Sequence, residues 1–546
     1  MEATVNMDRS SIKRFPLPKS ISSSRSLSMQ RLFRCTVSLK ERQTIMQWLL
    51  DAERDVKTQQ AEINRLKAAI TTLENKQKGL VKSMERYRSL LAPVHRMPPE
   101  ILSNIFQYFC EESEIPHSSP APPVLLSAIC GRWREIVLTT PCLWSTVTIR
   151  FSKWERDHEA LASKVELFME RSQLSLLSLE LDFSDVEQGI QPFLPAIQNL
   201  VEHSIRWRRV TFRVVPSMIS HSVLAPIHGR LPRLEHVHLS SASWRVHQAD
   251  NSPWDAELRL FETCPALRSF EFEPDLRIRH VLAPYDQITF LKLCDAYSST
   301  AFKFLSSLPN VERLELFRIG GESLASSGTF TGHIVSSNLK HLSITAEEQH
   351  DVSSALEFTT LPELLSLDIR SVEEEETDES SWYMWDEVPF KSFLTRSSCN
   401  ITSLSLRCVP ISDEQLVNTL LLMPRLSSLC LQEYRNTQSG YYLLTDEFLT
   451  RLAVDHGSSS SLFLPHLTDL TLHARADRVD FDHLTKALTS RWVPDSDYSA
   501  TLGCECLQSV TITLMDNKDH TESLRHLQSF RDAGMRVSIS YFHLDI

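Results

Sequence analysis

Apolar residues fall into three rhythms along this chain, and each rhythm predicts a different kind of element. From Ile45 to Leu91 they advance by alternating steps of four and three: Ile45, Leu49, Ala52, Val56, Gln59, Ile63, Leu66, Ile70, Leu73, Gln77, Leu80, Met84, Tyr87 and Leu91. Held for more than six heptads, that seam predicts a coiled-coil helix over 41–91. With Leu49 at position a, β-branched Val56, Ile63 and Ile70 also fall at a, and Leu66, Leu73 and Leu80 fall at d. Such a pattern favours a parallel pair of strands. Glu62 at g can meet Lys67 at e of a second strand, while Gln59 and Gln77 weaken the seam and fix its register. The expectation is a homodimer through residues 45–91; the alternative is one long helix packed on the segment that follows it.

The second rhythm begins at Met97-Pro98-Pro99-Glu100, where a proline suits the first helical position and an acidic residue suits the first turn. Ile101, Leu102, Ile105, Phe106 and Phe109 then follow at helical spacing. A polar, proline-rich loop from Glu111 to Pro123 ends that helix. A second helix is expected to carry Leu125, Leu126, Ile129, Cys130, Trp133, Ile136 and Val137 on one side and to stop before Pro141. Leu143 and Trp144 close the segment. A unit of about fifty residues buries its surface poorly, so this surplus of large apolar side chains implies a docking module completed by a partner. A helix pair that packs only on the rest of the chain is the alternative.

The third rhythm is an internal repeat, Leu-x-x-Leu-x-Leu or its apolar equivalent. Clear copies are Leu234-x-x-Val237-x-Leu239, Leu267-x-x-Phe270-x-Phe272, Ile288-x-x-Leu291-x-Leu293, Val311-x-x-Leu314-x-Leu316 and Leu339-x-x-Leu342-x-Ile344. Later copies start at Leu364, Ile401, Leu426, Leu467 and Leu507, and weaker early ones at Leu176 and Trp207, with 21 to 41 residues between successive starts. The last two apolar residues of each copy alternate with polar ones, as in a strand with one buried face, and the intervals leave room for helices. Stacked strand-plus-helix units form a solenoid with a parallel sheet, so the fold class is α/β. Unrelated strands of another α/β fold are the alternative.

Composition narrows the function classes. The chain has 546 residues and 42% hydrophobic content, ordinary for a globular protein, and no apolar run reaches the length of a membrane span. Residues 1–92 hold 18 Lys and Arg against 9 Asp and Glu, so the net charge of -12 divides into +9 there and -21 beyond. An acidic bulk argues against nucleic-acid binding. Eleven cysteines without a Cys-x-x-Cys pair, and no secretory signal at Met1, fit a reduced compartment, cytoplasmic or nuclear. Residues 1–40, Ser-rich and basic, read as a disordered tail. The same composition suits a mitochondrial transit peptide, but Pro16 and Pro18 interrupt any amphipathic helix.

Chemistry is scarce. Only twelve glycines are present, with neither a dinucleotide fingerprint nor a phosphate loop, so no cofactor is expected. No nucleophile elbow supports a hydrolase, and no catalytic residue is assigned. His236 and His238 could hold a metal from one face of a strand, but no Cys cluster accompanies them, and no metal is expected. The run from Glu373 to Glu379 reads as a solvated loop, and Trp382, Tyr383 and Trp385 after it could form a binding rim.

Three ordered blocks, Met97-Pro98-Pro99-Glu100-Ile101-Leu102, Cys130-Gly131-Arg132-Trp133 and Pro141-Cys142-Leu143-Trp144, resemble the F-box in the variant common in fungal proteins. Met97 stands for the usual Leu and Gly131 for the usual Arg, and Gly131 would cost the second helix about 1 kcal/mol relative to Ala. Residues 174–546 resemble the leucine-rich repeat, with a departure: the ninth position of each copy, usually Asn or Cys, holds Asp275, Ala296, Glu347 or Tyr434, so irregular turns are expected. The division implied is a tail over 1–40, a coiled-coil helix over 41–91, an F-box over 92–151 and a repeat domain over 152–546.

The resemblance implies a substrate-recognition subunit of an SCF-type ubiquitin ligase. It docks on a Skp-type adaptor, with cullin and RING subunits, and captures a protein client with the repeats; it is not itself an enzyme. Adaptor contacts and the small core behind them would come from Pro98, Ile101, Leu102, Ile105, Phe106, Leu125, Trp133 and Trp144. Strand alternation places client contacts at His238, Ser240, Glu271, Glu273, Glu315, Phe317, Asp368, Arg370, Ser405, Arg407, Thr471 and His473. That mixed, partly acidic set suits a client of some basic character. A scaffold without a ubiquitin link, or an F-box protein that acts without ubiquitination, are the alternatives.

Overall fold

The computed structural model describes residues 36–542 except 112–114, 116–119, 153–156, 187–188, 215–220, 242–258, 273–280, 295–304, 306, 320–333, 373–381, 383–384, 434–442, 458–461, 477–478 and 516–524. It divides into two compact units, one ending at Pro98 and the other starting at Pro99.

The first unit is one helix, α1, Leu39–Leu90, of 52 residues. Ser38 starts it with a capping box: its hydroxyl accepts from Glu41 N–H at 3.4 Å, and the Glu41 carboxylate accepts from Ser38 N–H at 3.0 Å. The Ser38 hydroxyl also donates to the Glu41 carboxylate at 2.7 Å, and that bond, with the one from Ser38 N–H, holds the Glu41 carboxyl below its ordinary value. Pro93 forbids continuation beyond Leu91. None of the residues of α1 is buried. The tail expected over 1–40 lies outside the described residues as far as 35, and Leu39 already belongs to α1.

The second unit opens with three short helices: α2, Pro99–Cys110; α3, Pro122–Ile129; and α4, Gly131–Thr139. Pro99 and Pro122 each stand at the first helical position, where the missing N–H costs nothing. The single second helix expected from the pattern is two helices. Cys130 is extended, at φ -155 and ψ 168, and its sulfur accepts from Trp133 N–H, so it caps α4. Gly131 is therefore a terminal residue of α4, and the cost of a glycine inside a helix does not apply. Leu102, Phe106 and Cys110 form the buried face of α2, and Trp133 meets Phe106 at 4.6 Å between ring centroids. After α4, a tight turn over Pro141–Trp144 buries Trp144, whose indole N–H donates to Val137 O at 2.9 Å and whose ring meets Phe168 edge-on.

A fully parallel sheet of fourteen strands follows, each strand beside the next in chain order. The strands are β1 Thr146–Ser152, β2 Leu177–Asp185, β3 Trp207–Val214, β4 His236–Ser241, β5 Ser269–Phe272, β6 Phe290–Cys294 and β7 Arg313–Ile319. The rest are β8 His341–Ala346, β9 Ser366–Ser371, β10 Ser403–Arg407, β11 Ser428–Gln432, β12 Asp469–Arg475, β13 Ser509–Met515 and β14 Arg536–Phe542. Each apolar copy in the sequence coincides with one of β2 to β13. From Leu234 to Leu507 the first residue of every copy is buried, and the two apolar strand residues after it are buried as well. Neither end strand is among the expected copies, although β1 carries the pattern as Trp144-x-x-Val147-x-Ile149. β1 alternates Val147, Ile149 and Phe151, and it belongs with the sheet although the motif boundary at 151 assigned it to the helical segment. Ile115, buried, donates its N–H to Thr148 O at 2.8 Å, which covers part of the outer edge of β1.

Helices cross between strands at both ends of the sheet: α5, His158–Arg171, and α6, Leu194–Glu202, at the start. Further along come α7 Gln349–Glu357, α8 Glu387–Ser397, α9 Asp413–Leu420, α10 Asp446–Leu452, α11 Phe481–Ser490, α12 Ser496–Leu502 and α13 Arg525–Asp532. A recurrent device ties successive crossovers together. Arg206 donates to the carbonyls of Met169 and Ser175 at the end of α5, Arg396 to those of Leu356 and Thr359 after α7, and buried Arg491 to those of Leu452 and Leu464 after α10. A guanidinium at a helix C-terminus satisfies carbonyls that the helix leaves open and matches its dipole.

Trp382 and Trp385 are both buried, and Trp385 packs on Phe390 at 5.8 Å, so these two rings are core and form no binding rim. Tyr383, the acidic run from Glu373 to Glu379, and Asp275, Ala296 and Tyr434 lie outside the described residues. One step before the expected Asn or Cys position, buried polar groups do appear. Cys408 sits at φ 53, and the buried carboxylate of Glu433 accepts from Leu443 N–H at 2.8 Å and Arg475 N–H at 3.0 Å. Glu433 thus satisfies turn amides in place of an asparagine ladder.

Candidate functional site

Two surfaces of the second unit stand out. The first is α2. Its residues Leu102, Phe106 and Cys110 face the core, while Ile101, Ile105, Tyr108 and Phe109 are exposed, by 47%, 47%, 76% and 52%. Both sets have helical spacing, so one twelve-residue helix carries two apolar stripes, and only one is buried. The neighbouring α3 repeats the arrangement: Leu126 is buried, Leu125 and Ile129 are exposed. A helix that is apolar on both sides yet open on one is incomplete by itself.

The residues expected to serve the adaptor thereby separate into two roles. Ile101, Ile105 and Leu125 are exposed, and so is Pro98, the last residue of the first unit. Leu102, Phe106 and Trp144 are buried within this chain, and Trp133 is half-buried against Phe106. Tyr108, Phe109 and Ile129 join the exposed stripes without having been assigned to the site, although Phe109 follows Ile105 and Ile129 follows Leu125 by one helical turn. Tyr108 carried no signal beyond its place seven residues after Ile101.

The second surface is the polar face of the sheet. Cross-strand pairing aligns one continuous row: Glu180, Thr211, His238, Glu271, Lys292, Glu315, Ser343, Asp368, Ser405, Cys430, Thr471 and Thr511. The next row includes Arg150, Asp182, Arg213 and Ser240 early, then Phe317, Thr345, Arg370, Arg407, Gln432 and His473. Sequence alternation alone thus brings His238, Glu271 and Glu315 into one file with Asp368, and sets Arg407 in the file beside them. Glu273 lies outside the described residues.

Charges in these rows are largely consumed within the sheet. Glu180 pairs with Arg213 at 3.2 Å, Asp182 with Arg213 at 3.7 Å, Glu271 with Lys292 at 3.8 Å, Glu315 with Arg313 at 3.1 Å and Asp368 with Arg407 at 3.7 Å. Ser343 also donates to Asp368 at 3.0 Å. Such half-exposed pairs add little stability, but they leave these carboxylates already matched. Arg370, exposed, lies in register beside Arg407, a like-charged arrangement that costs the sheet unless an anion covers it. The imidazoles on this face are held toward the neutral form: His238 and His236 mainly by burial, and His473 by burial and then by Arg407.

No group of three metal-ligating side chains among the described residues includes His236 or His238. Asp446, Asp480 and His483 do come within 4.8 Å of one another, all exposed. Asp480 already accepts from the N–H groups of Asp482 and His483, which makes the cluster a helix cap. No described helix is long and apolar enough to cross a membrane.

No family model matches the chain, and no curated protein sequence matches it.

Proposed function

We propose that the chain is the substrate-recognition subunit of an SCF-type ubiquitin ligase, docking on a Skp-type adaptor through α2 and α3 and holding a protein client against the polar face of the sheet. One observation carries the reading: the second apolar stripe of α2, Ile101, Ile105, Tyr108 and Phe109, open beside the exposed Leu125 and Ile129 of α3. It fits the three F-box-like blocks in the sequence, because the buried members of those blocks build the small core and the exposed members remain for a helical partner. The bond-making chemistry then belongs to other subunits. This chain contributes proximity, raising the effective concentration of a client lysine near the charged conjugating enzyme.

Co-expression with a Skp-type adaptor and affinity capture tests it. The wild-type chain should retain the adaptor, and Ile101→Asp with Ile105→Asp should lower capture at least tenfold with the unfolding midpoint unchanged, since central aliphatic anchors typically cost about 2 kcal/mol or more when lost. An adaptor that is not captured by the wild-type chain overturns the reading. Capture of the adaptor without the cullin would favour the second reading, assembly without ubiquitination, which the long exposed helix α1 also supports.

A further inference from the structure

We infer that α1 joins two copies of this chain as a parallel, in-register coiled coil, so that the protein acts as a two-headed receptor. None of the 52 residues of α1 is buried, although its seam carries Val56, Ile63, Leu66, Ile70, Leu73 and Leu80, each at least 45% exposed. Glu62 and Arg65 pair along the helix at 2.6 Å, and the capping box anchors its start, but local bonds of this kind add little, whereas most of a helix's stability comes from packing its apolar face. A second copy supplies what is missing, because the heptad is self-complementary.

Two alignments match the polar layers of the seam. In register and parallel, Gln59 meets Gln59 and Gln77 meets Gln77 of the second copy. Antiparallel about Ala68, Gln59 meets Gln77, and every a residue meets a d residue. Flanking charge separates them. Both alignments bring Glu62 to a lysine twice, Lys67 in the parallel pair and Lys76 in the antiparallel one. The antiparallel pair also sets Lys67 near its own copy at the centre, whereas the parallel pair opposes no like charges, since its other facing pairs are Trp48 with Glu53, Asp55 with Gln60, Ala69 with Glu74, Lys76 with Val81 and Ser83 with Arg88. β-branched residues at a with Leu at d point the same way. Closed two-fold symmetry follows. Only Leu91–Pro98 separate α1 from the second unit, so both second units start from the same end of the coil. Two client surfaces on one particle convert a second contact into an intramolecular one. The dimer does not depend on the ligase reading, and its test involves no adaptor.

Light scattering on the full-length chain at micromolar concentration should give twice the 62.6 kDa chain mass. Ile63→Asp with Ile70→Asp should return a monomer. Ile63→Cys at position a should form a disulfide-linked dimer under mild oxidation that the wild-type chain does not form, because only the parallel alignment places residue 63 against itself. A monomeric wild-type chain overturns the inference, as does a dimer that survives the double Asp variant. A dimer in which Ile63→Cys gives no cross-link overturns its parallel form.

Discussion

Both the seam of α1 and the ladder of strand residues in the sheet are strict apolar repeats, yet Ile63, Leu66 and Ile70 are exposed while Leu404, Leu429 and Leu470 are buried. The α2 helix contains both fates at once, one stripe buried and one open. Periodicity therefore reports that a face wants to be covered, and burial reports whether this chain covers it. Where the answer is no, the proposed cover is a second heptad strand for α1 and an apolar surface of the adaptor for α2.

Substitutions inside the ladder sharpen the contrast most. Phe270, fully buried on β5, should cost about 4 kcal/mol as Phe270→Ala, read as a lower urea midpoint. A loss below 1 kcal/mol would mean that the sheet interior is not packed as described. Next in size is Asp351, a buried carboxyl in the first turn of α7, pushed up to about 6 chiefly by burial, with His350 opposing. Because the folded chain holds that proton more tightly than the unfolded chain, where the carboxyl titrates near 3.8, stability falls as pH rises through this interval and stays lowered above it. Asp351→Asn should therefore raise stability at pH 7 by up to about 3 kcal/mol, with the advantage over wild type vanishing towards pH 4. Thermal melts of both chains across that range check it; an advantage that does not change with pH would exclude the titration. Arg491→Met, which keeps the apolar stem but removes the donors to Leu452 and Leu464, should cost about 2 kcal/mol by the same midpoint measurement.

Much of this architecture was legible because strands and coiled coils write short-range periods. Each copy of the repeat found its strand, and the long helix lies within two residues of its expected start. The misses have physical causes. β14 lacks the leading apolar residue, with Gly534 three places before Val537, whereas β1 has it in buried Trp144, which the motif blocks assign to the helical segment. Cys130 reads as one more apolar position in a helical run, and only its extended backbone shows it to be a cap. The cation caps at Arg206, Arg396 and Arg491 join residues about forty apart, a distance at which no local pattern operates. For the site, alternation placed the right residues on the polar face but could not show that Glu271 and Asp368 are matched by Lys292 and Arg407, because that pairing depends on neighbouring strands; Glu315 with Arg313, two residues apart on β7, lay within its reach. The face is thus less acidic in effect than its composition suggests. On the proposed function, client capture should fall more on reversing Arg370 and Arg407 to Glu than on reversing Glu271 and Glu315 to Lys, read by pull-down under equal salt; the opposite ranking would favour the client of some basic character that the sequence leads one to expect.

The smallest effect on folding should come from the open stripe of α2, and it is the most direct test of the contrast. Ile101→Ala with Ile105→Ala removes as many methyl and methylene groups as two core truncations would, but from side chains that are about half exposed. Burying such side chains is worth about 25 cal/mol per Å² only where water is excluded, so truncation here should shift stability by less than about 0.5 kcal/mol. The neighbouring Leu102→Ala and Phe106→Ala, on the same helix but facing the core, should cost about 3 kcal/mol each. If the two pairs cost the same, the exposed stripe is covered by this chain in solution and the case for an external partner at α2 disappears. If the surface pair is silent in folding and the core pair is not, then folding does not account for large apolar side chains at positions 101 and 105, and a bound surface is what remains to explain them.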